Sequence, residues 1–308
     1  MSDARDPARP DAAATPGEAV REPAGWIVRR VVVAVDASPG SAAAARQAAR
    51  LASRLSAELC GFFVEDPAVL RLAGLPVCIE VGTFSATSRR LAPGDLERRL
   101  RSQAGRARRQ LEESALAAAV ADFRFEVLRG EAHQALADTL GEADLLSLGR
   151  AGATGLARLG SFARAALAGR RGQLLLLPAH GRIEPPAVAV FGDTPGARRA
   201  LAAALRLFDH DRAASLRRGA LTLLLVAADE AAARELEAEA RGLLAEAGLP
   251  PPLPRFRHAR PGDRHALAQT VRLDRAHVLL LPAESPLVRP EDLEEVIAGL
   301  DCSVLVVR

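Results

Sequence analysis

The chain has 308 residues, 41 basic against 38 acidic, with a net charge of +3 at neutral pH and 49% apolar side chains. That length supplies two ordinary domains. Every basic residue is arginine, aromatics are few, and the three cysteines (Cys60, Cys78, Cys302) form no CxxC pair. These totals argue against a nucleic-acid surface, a disulfide framework and a zinc site, and no apolar run reaches the length of a membrane span.

Residues 1–25 are dominated by Ala, Pro, Asp, Glu, Arg and Gly. Such a stretch cannot bury enough surface to order itself and has no apolar signal core, so 1–27 are expected to be a disordered tail. A first domain is expected over 28–179. Val31 to Val35 is a β-branched strand that runs into the turn Asp36-Ala-Ser-Pro-Gly40, and Ser41 to Leu55 is an Ala-rich helix. Leu59 to Val64 is the second strand. Residues 67–93 carry turn formers (Pro67, Gly74, Pro76, Gly82, Pro93) without a clean period, the mark of an insertion that serves as a lid or contact surface. Leu96, Leu100, Ala104, Ala107, Leu111, Ala115 and Ala118 then step by three and four along a long amphipathic helix, whose arginines alternate with Glu97, Glu112 and Glu113 on a solvated face. Phe123 to Leu128 gives the third strand and Glu131 to Leu140 a helix ending at Gly141.

The next unit is the most informative. An apolar run (Leu145, Leu146, Leu148) ends at Gly149, a loop punctuated by Gly149, Gly152, Gly155 and Gly160 follows, Ser161 opens an alanine-rich helix, and Leu174 to Leu177 closes on Pro178. Strand, glycine loop, helix and strand form one βαβ unit. Glycines let the backbone approach an anion closely, and the unpaired N–H groups of the helix start point at it. Ser161 suits the N-cap, where its hydroxyl also reaches a phosphate oxygen. Five strands alternating with helices predict an α/β domain with a parallel sheet covered on both faces.

Residues 180–186 are the expected linker, after which the pattern restarts over 187–308. Ala187 to Phe191, Leu221 to Ala228, Phe256 to Ala259, His277 to Leu281 and Ser303 to Val307 are its strands. Pro195-Gly196 repeats Pro39-Gly40, and Gly262-Asp-Arg-His265 repeats Gly130-Glu-Ala-His133. The period is about 155 residues, an internal duplication. The copies differ where chemistry is expected. Gly192 stands in place of Asp36, and Pro282-Ala-Glu-Ser-Pro-Leu-Val-Arg-Pro290 replaces the glycine loop. Proline lacks the N–H that would bond phosphate, and Glu284 repels it. There is no GxSxG elbow, no GxxxxGK[ST] loop, no carboxylate pair beside the loop and no metal spacing among the histidines, so no enzyme is expected. Arg150 and Arg158 are read as solvated surface, ahead of a role as phosphate partners.

Val33-Ala-Val-Asp36-Ala-Ser38, Gly149-Arg-Ala-Gly152 followed by Gly160-Ser161, and the element order with an insertion after strand two resemble the universal stress protein family in its tandem form, with a degenerate second domain. The resemblance implies two Rossmann-like (adenine nucleotide alpha-hydrolase-like) domains, each a five-stranded parallel sheet of order 3-2-1-4-5 with helices on both faces. It also implies a cytoplasmic stress-response protein that binds ATP or another adenine nucleotide weakly in its first half and acts as a sensor or adaptor. Asp36 would lie by the adenine and ribose, Val64 against the adenine, and Gly149, Gly152, Gly160 and Ser161 around ribose and phosphates. Phe162 sits where the family usually has a small aliphatic residue, and the loop is two residues shorter than usual. The alternative is a scaffold that binds no nucleotide and recruits partners through the insertion. In either case the last strands are expected to pair, within the chain or in a homodimer, with no nucleic-acid or membrane partner.

Overall fold

The computed structural model describes residues 26–35, 39–65, 71, 79–81, 88–90, 93–129, 141, 144–150, 159, 161–169, 172–208, 220–248 and 254–308. The first half runs β1 (Arg30–Ala34), α1 (Pro39–Leu55), β2 (Glu58–Glu65), β3 (Ile79–Val81), β4 (Ser88–Arg90), α2 (Pro93–Ala117), β5 (Phe123–Arg129), β6 (Asp144–Gly149), α3 (Ser161–Ala168) and β7 (Gln173–Leu177). The second runs β8 (Ala187–Phe191), α4 (Pro195–Leu207), β9 (Leu221–Val226), α5 (Glu230–Glu246), β10 (Arg255–Ala259), α6 (Arg264–Leu273), β11 (Val278–Pro282), a 3-10 turn (Pro290–Asp292), α7 (Leu293–Ala298) and β12 (Ser303–Val307).

Ten of these strands form one sheet in the order β10-β9-β8-β11-β12-β7-β6-β1-β2-β5. Each half therefore has the order 3-2-1-4-5 that the family resemblance implies, with all its neighbours parallel. The central strands are apolar on both faces, as buried parallel strands must be. The halves join where the two fifth strands meet antiparallel, with Leu174, Leu175 and Leu176 opposite Val306, Leu305 and Val304. This pairing satisfies the N–H and C=O groups that an apolar edge strand would otherwise offer to another chain. The last strands thus pair within the chain.

The sheet separates two cores. Alternate strand residues such as Val31, Val33, Leu175 and Leu305 pack under α1, α2, α4 and α5, and the others, such as Val32, Leu146, Leu176 and Val304, pack under α3, α6 and α7. Trp26, inside the span assigned to the tail, is only 6% exposed and joins the first core with Val28. Within the 67–93 insertion, β3 and β4 make a two-stranded antiparallel ladder separate from the main sheet, and α2 begins at Pro93. The Glu131–Leu140 helix lies outside the described residues.

Buried charges sit at the amino ends of the strands. Asp144 takes both Nε and a terminal nitrogen of Arg30, and also accepts the Gly141 N–H at 2.7 Å. In the second half Asp274, whose side chain is 5% exposed, accepts from Thr222 at 2.8 Å and from Arg257 at 3.1 and 2.7 Å. Burial pushes the Asp274 carboxyl up, but the bonds from Arg257 and Thr222 outweigh this and hold it below the usual carboxylate range. A carboxyl depressed in the folded state adds stability above its unfolded pKa, about 4, and that contribution is lost as pH falls through the folded value. Asp274→Asn should therefore unfold with a flatter pH dependence than wild type below about pH 4, measured by denaturant titration. An unchanged acid limb would show that Asp274 carries no linkage.

The described cysteines, Cys60 and Cys302, are buried and free. Burial pushes both thiols up to about 11, helped at Cys60 by the charge of Glu58, so both are protonated and poor nucleophiles at neutral pH.

Candidate functional site

In an open parallel sheet, ligands bind beyond the carboxyl ends of the strands at the point where strand order reverses. In the first half that point lies between β1 and β6, because the chain leaves β1 for β2 on one side and returns through β6 on the other. β1 is held in register with both neighbours, Ala34 opposite Phe62 and Val33 opposite Ser147. Val35 continues this anchoring, with its N–H bonded to the Phe62 carbonyl at 2.8 Å and its side chain buried.

Two of the expected site residues are described with their surroundings. Val64 is half-buried near the end of β2, opposite Leu128, and next to it the buried Glu65 is paired with Arg129 at 3.0 Å. Gly149 is the last residue of β6, opposite Leu177, and is exposed while the five residues before it are buried. Among the described residues, none lies within 4 Å of a Cβ placed on Gly149. The backbone of Ser161 and Phe162 forms the first turn of α3, and Leu159, two residues before Ser161, is buried in the second core. The start of α3 is thereby tied to the sheet. Asp36, Gly152 and Gly160 lie outside the described residues, as does Arg158.

In the corresponding crevice of the second half a carboxylate stands over the start of the first helix. Thr194 caps α4 by accepting the Ala197 N–H at 3.2 Å, and Asp193 projects into solvent with its side chain 92% exposed. Glu284, just beyond β11, reaches back over the first turn of α4. One carboxylate oxygen lies 3.6 Å from Arg199, and the other would lie 3.3 Å from a Cβ on Gly196. An anionic ligand entering here would meet a carboxylate already seated against the helix start.

Arg150 corrects the sequence reading. It is neither solvated nor aimed at a phosphate site: its residue surface is 9% exposed, and its guanidinium donates to the carbonyls of Ile297 and Cys302 in the second half. Arg308 makes the reciprocal contact, donating to Ala166 at 2.9 Å, Leu167 at 3.2 Å and Gly172 at 3.1 Å. The two cradles are equivalent. Leu167 and Ile297 are the penultimate residues of α3 and α7, and Gly172 and Cys302 directly precede β7 and β12. Each cradle presents late-helix carbonyls that want a cation, and each is filled by an arginine of the other half. Sequence reasoning missed this because the acceptors are backbone carbonyls, which no residue type marks.

Residues 28–169 match the universal stress protein family. A solved universal stress protein from Archaeoglobus fulgidus is 16% identical over 91% of this chain and 96% of its own, with a TM-score of 0.61. The universal stress protein UspA from Lactobacillus plantarum is 20% identical, covers 50% of this chain and 99% of its own, and has a TM-score of 0.36. A universal stress protein solved in complex with cAMP is 22% identical over 50% of this chain and 98% of its own, with a TM-score of 0.33. No curated protein matches the sequence. Residues 28–169 therefore belong to the universal stress protein family, and the second half repeats the same strand order.

Proposed function

We propose that the first half binds an adenine nucleotide weakly beyond the carboxyl ends of β1, β2 and β6, and that the protein is a cytoplasmic stress-response sensor or adaptor and not a catalyst. The observation that carries this reading is Gly149, exposed at the switch point with no described residue within 4 Å of where a side chain would stand. Asp36, Gly152, Gly160 and Ser161 are the residues proposed to complete the site, with Phe162 beside them and Val64 against the base. Glu284 confines binding to the first half, because its carboxylate stands in the second crevice.

Gly149→Val places its branches where no described residue stands, so it should leave the unfolding midpoint unchanged while weakening ATP, ADP or AMP by about tenfold or more, roughly 1.4 kcal/mol. Isothermal calorimetry on wild type, Gly149→Val and Gly152→Val measures this directly. Unchanged affinity in a folded Gly149→Val protein overturns the site, and no heat with any nucleotide on wild type favours the scaffold that recruits partners through the insertion. Among the described residues no helix is long and apolar enough to cross a membrane.

A further inference from the structure

Arg46, Arg50 and Arg54 stand at four-residue spacing along α1, and the helix carries no acidic residue. Side chains four apart on a helix are neighbours, and like charges there repel. Other helices meet such arginines with carboxylates. Arg101 faces Glu97, Arg234 faces Glu230 and Arg241 faces Glu237 within their own helices, and Arg198 of α4 reaches Glu239 of α5. Arg46 and Arg50 are exposed and have no ion-pair partner among the described residues. Arg54 is half-buried and donates from Nη1 to the Ile183 carbonyl at 2.9 Å, an acceptor that does not neutralise its charge.

Two of these arginines border a cavity. Gln47, Arg50 and Arg54, on one face of α1, line about 290 Å³ together with Arg182 and Glu184 of the 180–186 linker. That volume is at the lower limit of small-molecule sites. Glu184 is the one carboxylate in the described lining. It faces Arg182 at 3.4 Å, and the same oxygen lies 4.0 Å from Nδ1 of His277. Three guanidiniums against one carboxylate leave two positive charges without a counter-charge, beside the neutral donor of the Gln47 amide. Gln47 lies eight residues into α1, about 12 Å along its axis from Pro39. The cavity is therefore separate from the crevice beyond the carboxyl end of β1.

We propose that this cavity binds a small oxyanion of the phosphate class, as inorganic phosphate or as the phosphoryl group of a compact phosphomonoester, held by Arg50, Arg54 and Arg182. Guanidinium forks match the geometry of phosphate oxygens and stay charged at every physiological pH. A dianion supplies the counter-charge that α1 lacks and relieves the repulsion between Arg50 and Arg54. It also ties a helix of the first half to the linker that leads into the second, so binding raises the unfolding temperature. This site is independent of nucleotide binding at Gly149.

Calorimetry and thermal unfolding of the full chain with inorganic phosphate, glycerol 3-phosphate and acetate, at ionic strength matched with chloride, test the proposal. Phosphate should bind saturably and stabilise, and acetate, with one charge, should bind at least about tenfold more weakly. Tighter binding of glycerol 3-phosphate than of phosphate identifies a phosphomonoester as the ligand, and weaker binding identifies the free ion. Arg50→Gln, an exposed change, should keep the unfolding midpoint measured without phosphate and weaken phosphate by about tenfold. Arg50→Lys should recover part of that loss. Arg182→Gln, which takes the guanidinium partner from Glu184, should weaken phosphate further still. Gly149→Val should leave phosphate affinity unchanged, whatever it does to nucleotides. No saturable phosphate binding, acetate bound as tightly, an unchanged affinity in Arg50→Gln, or loss of phosphate binding in Gly149→Val overturns the site.

Discussion

Arg150→Ala should destabilise the chain by about 3 kcal/mol, the loss expected when buried carbonyls lose a charged donor and a side-chain-sized void is left. The opposing effect is real, because burial already lowers the pKa of this guanidinium, so removing it also relieves a desolvation cost. The carbonyls of Ile297 and Cys302 decide the balance, since they stay buried at the seam after the arginine has gone. Arg150→Met separates the parts. It keeps much of the apolar stem and should recover about 1 kcal/mol of the loss through packing, while the carbonyls remain unpaired. Urea unfolding of the three proteins at neutral pH measures these differences. A loss below about 0.5 kcal/mol for Arg150→Ala, the scale of an ordinary surface change, would mean that the seam is held by strand pairing alone.

Gly61→Val should cost about 3 kcal/mol, at the upper end of what overpacking a core does. Gly61 lies in the middle of β2, opposite Val33 on one side and Phe125 on the other. A Cβ there would stand 2.1 Å from Cδ2 of Leu111 and 3.0 Å from the Phe125 ring. Leu111 is fully buried in α2, so it cannot swing into solvent to make room. The glycine is needed for the close approach of helix to strand and not for any unusual backbone angle. Gly61→Ala should cost less, about 1–2 kcal/mol, and combining it with Leu111→Ala should return part of that loss. The coupling in this double-mutant cycle, read by chemical denaturation, identifies the contact. Additive effects would place the strain elsewhere.

These two sites differ in how far the sequence announces them. Apolar runs bounded by turn residues located the strands, and the structure places them within a residue or two. The run from Leu221 ends at Val226 instead of Ala228. Gly61 interrupts an otherwise apolar run and gives no hint that α2 lies over it, because the long helix is more than thirty residues further on. Arg150 follows a strand beside a glycine, where a solvated side chain is the ordinary expectation. Its partners come from the other half through main-chain oxygens. The candidate site is legible to the same degree: strand four ending at Gly149 is evident in the sequence, and the exposure of Gly149 after five buried residues is not.

The sequence by itself determined the duplication, the α/β alternation in each copy and the loss of the glycine loop from the second, because periodicity, turn residues and proline act locally along the chain. Only the tertiary structure decided that the two fifth strands pair antiparallel within one chain, that Arg150 and Arg308 cross the seam, and that Glu284 reaches Arg199. Those outcomes depend on groups more than eighty residues apart being carried to the same edge of one sheet. Hydrogen-bond geometry and charge at contact distance then select the partners, and neither is written in the order of the residues.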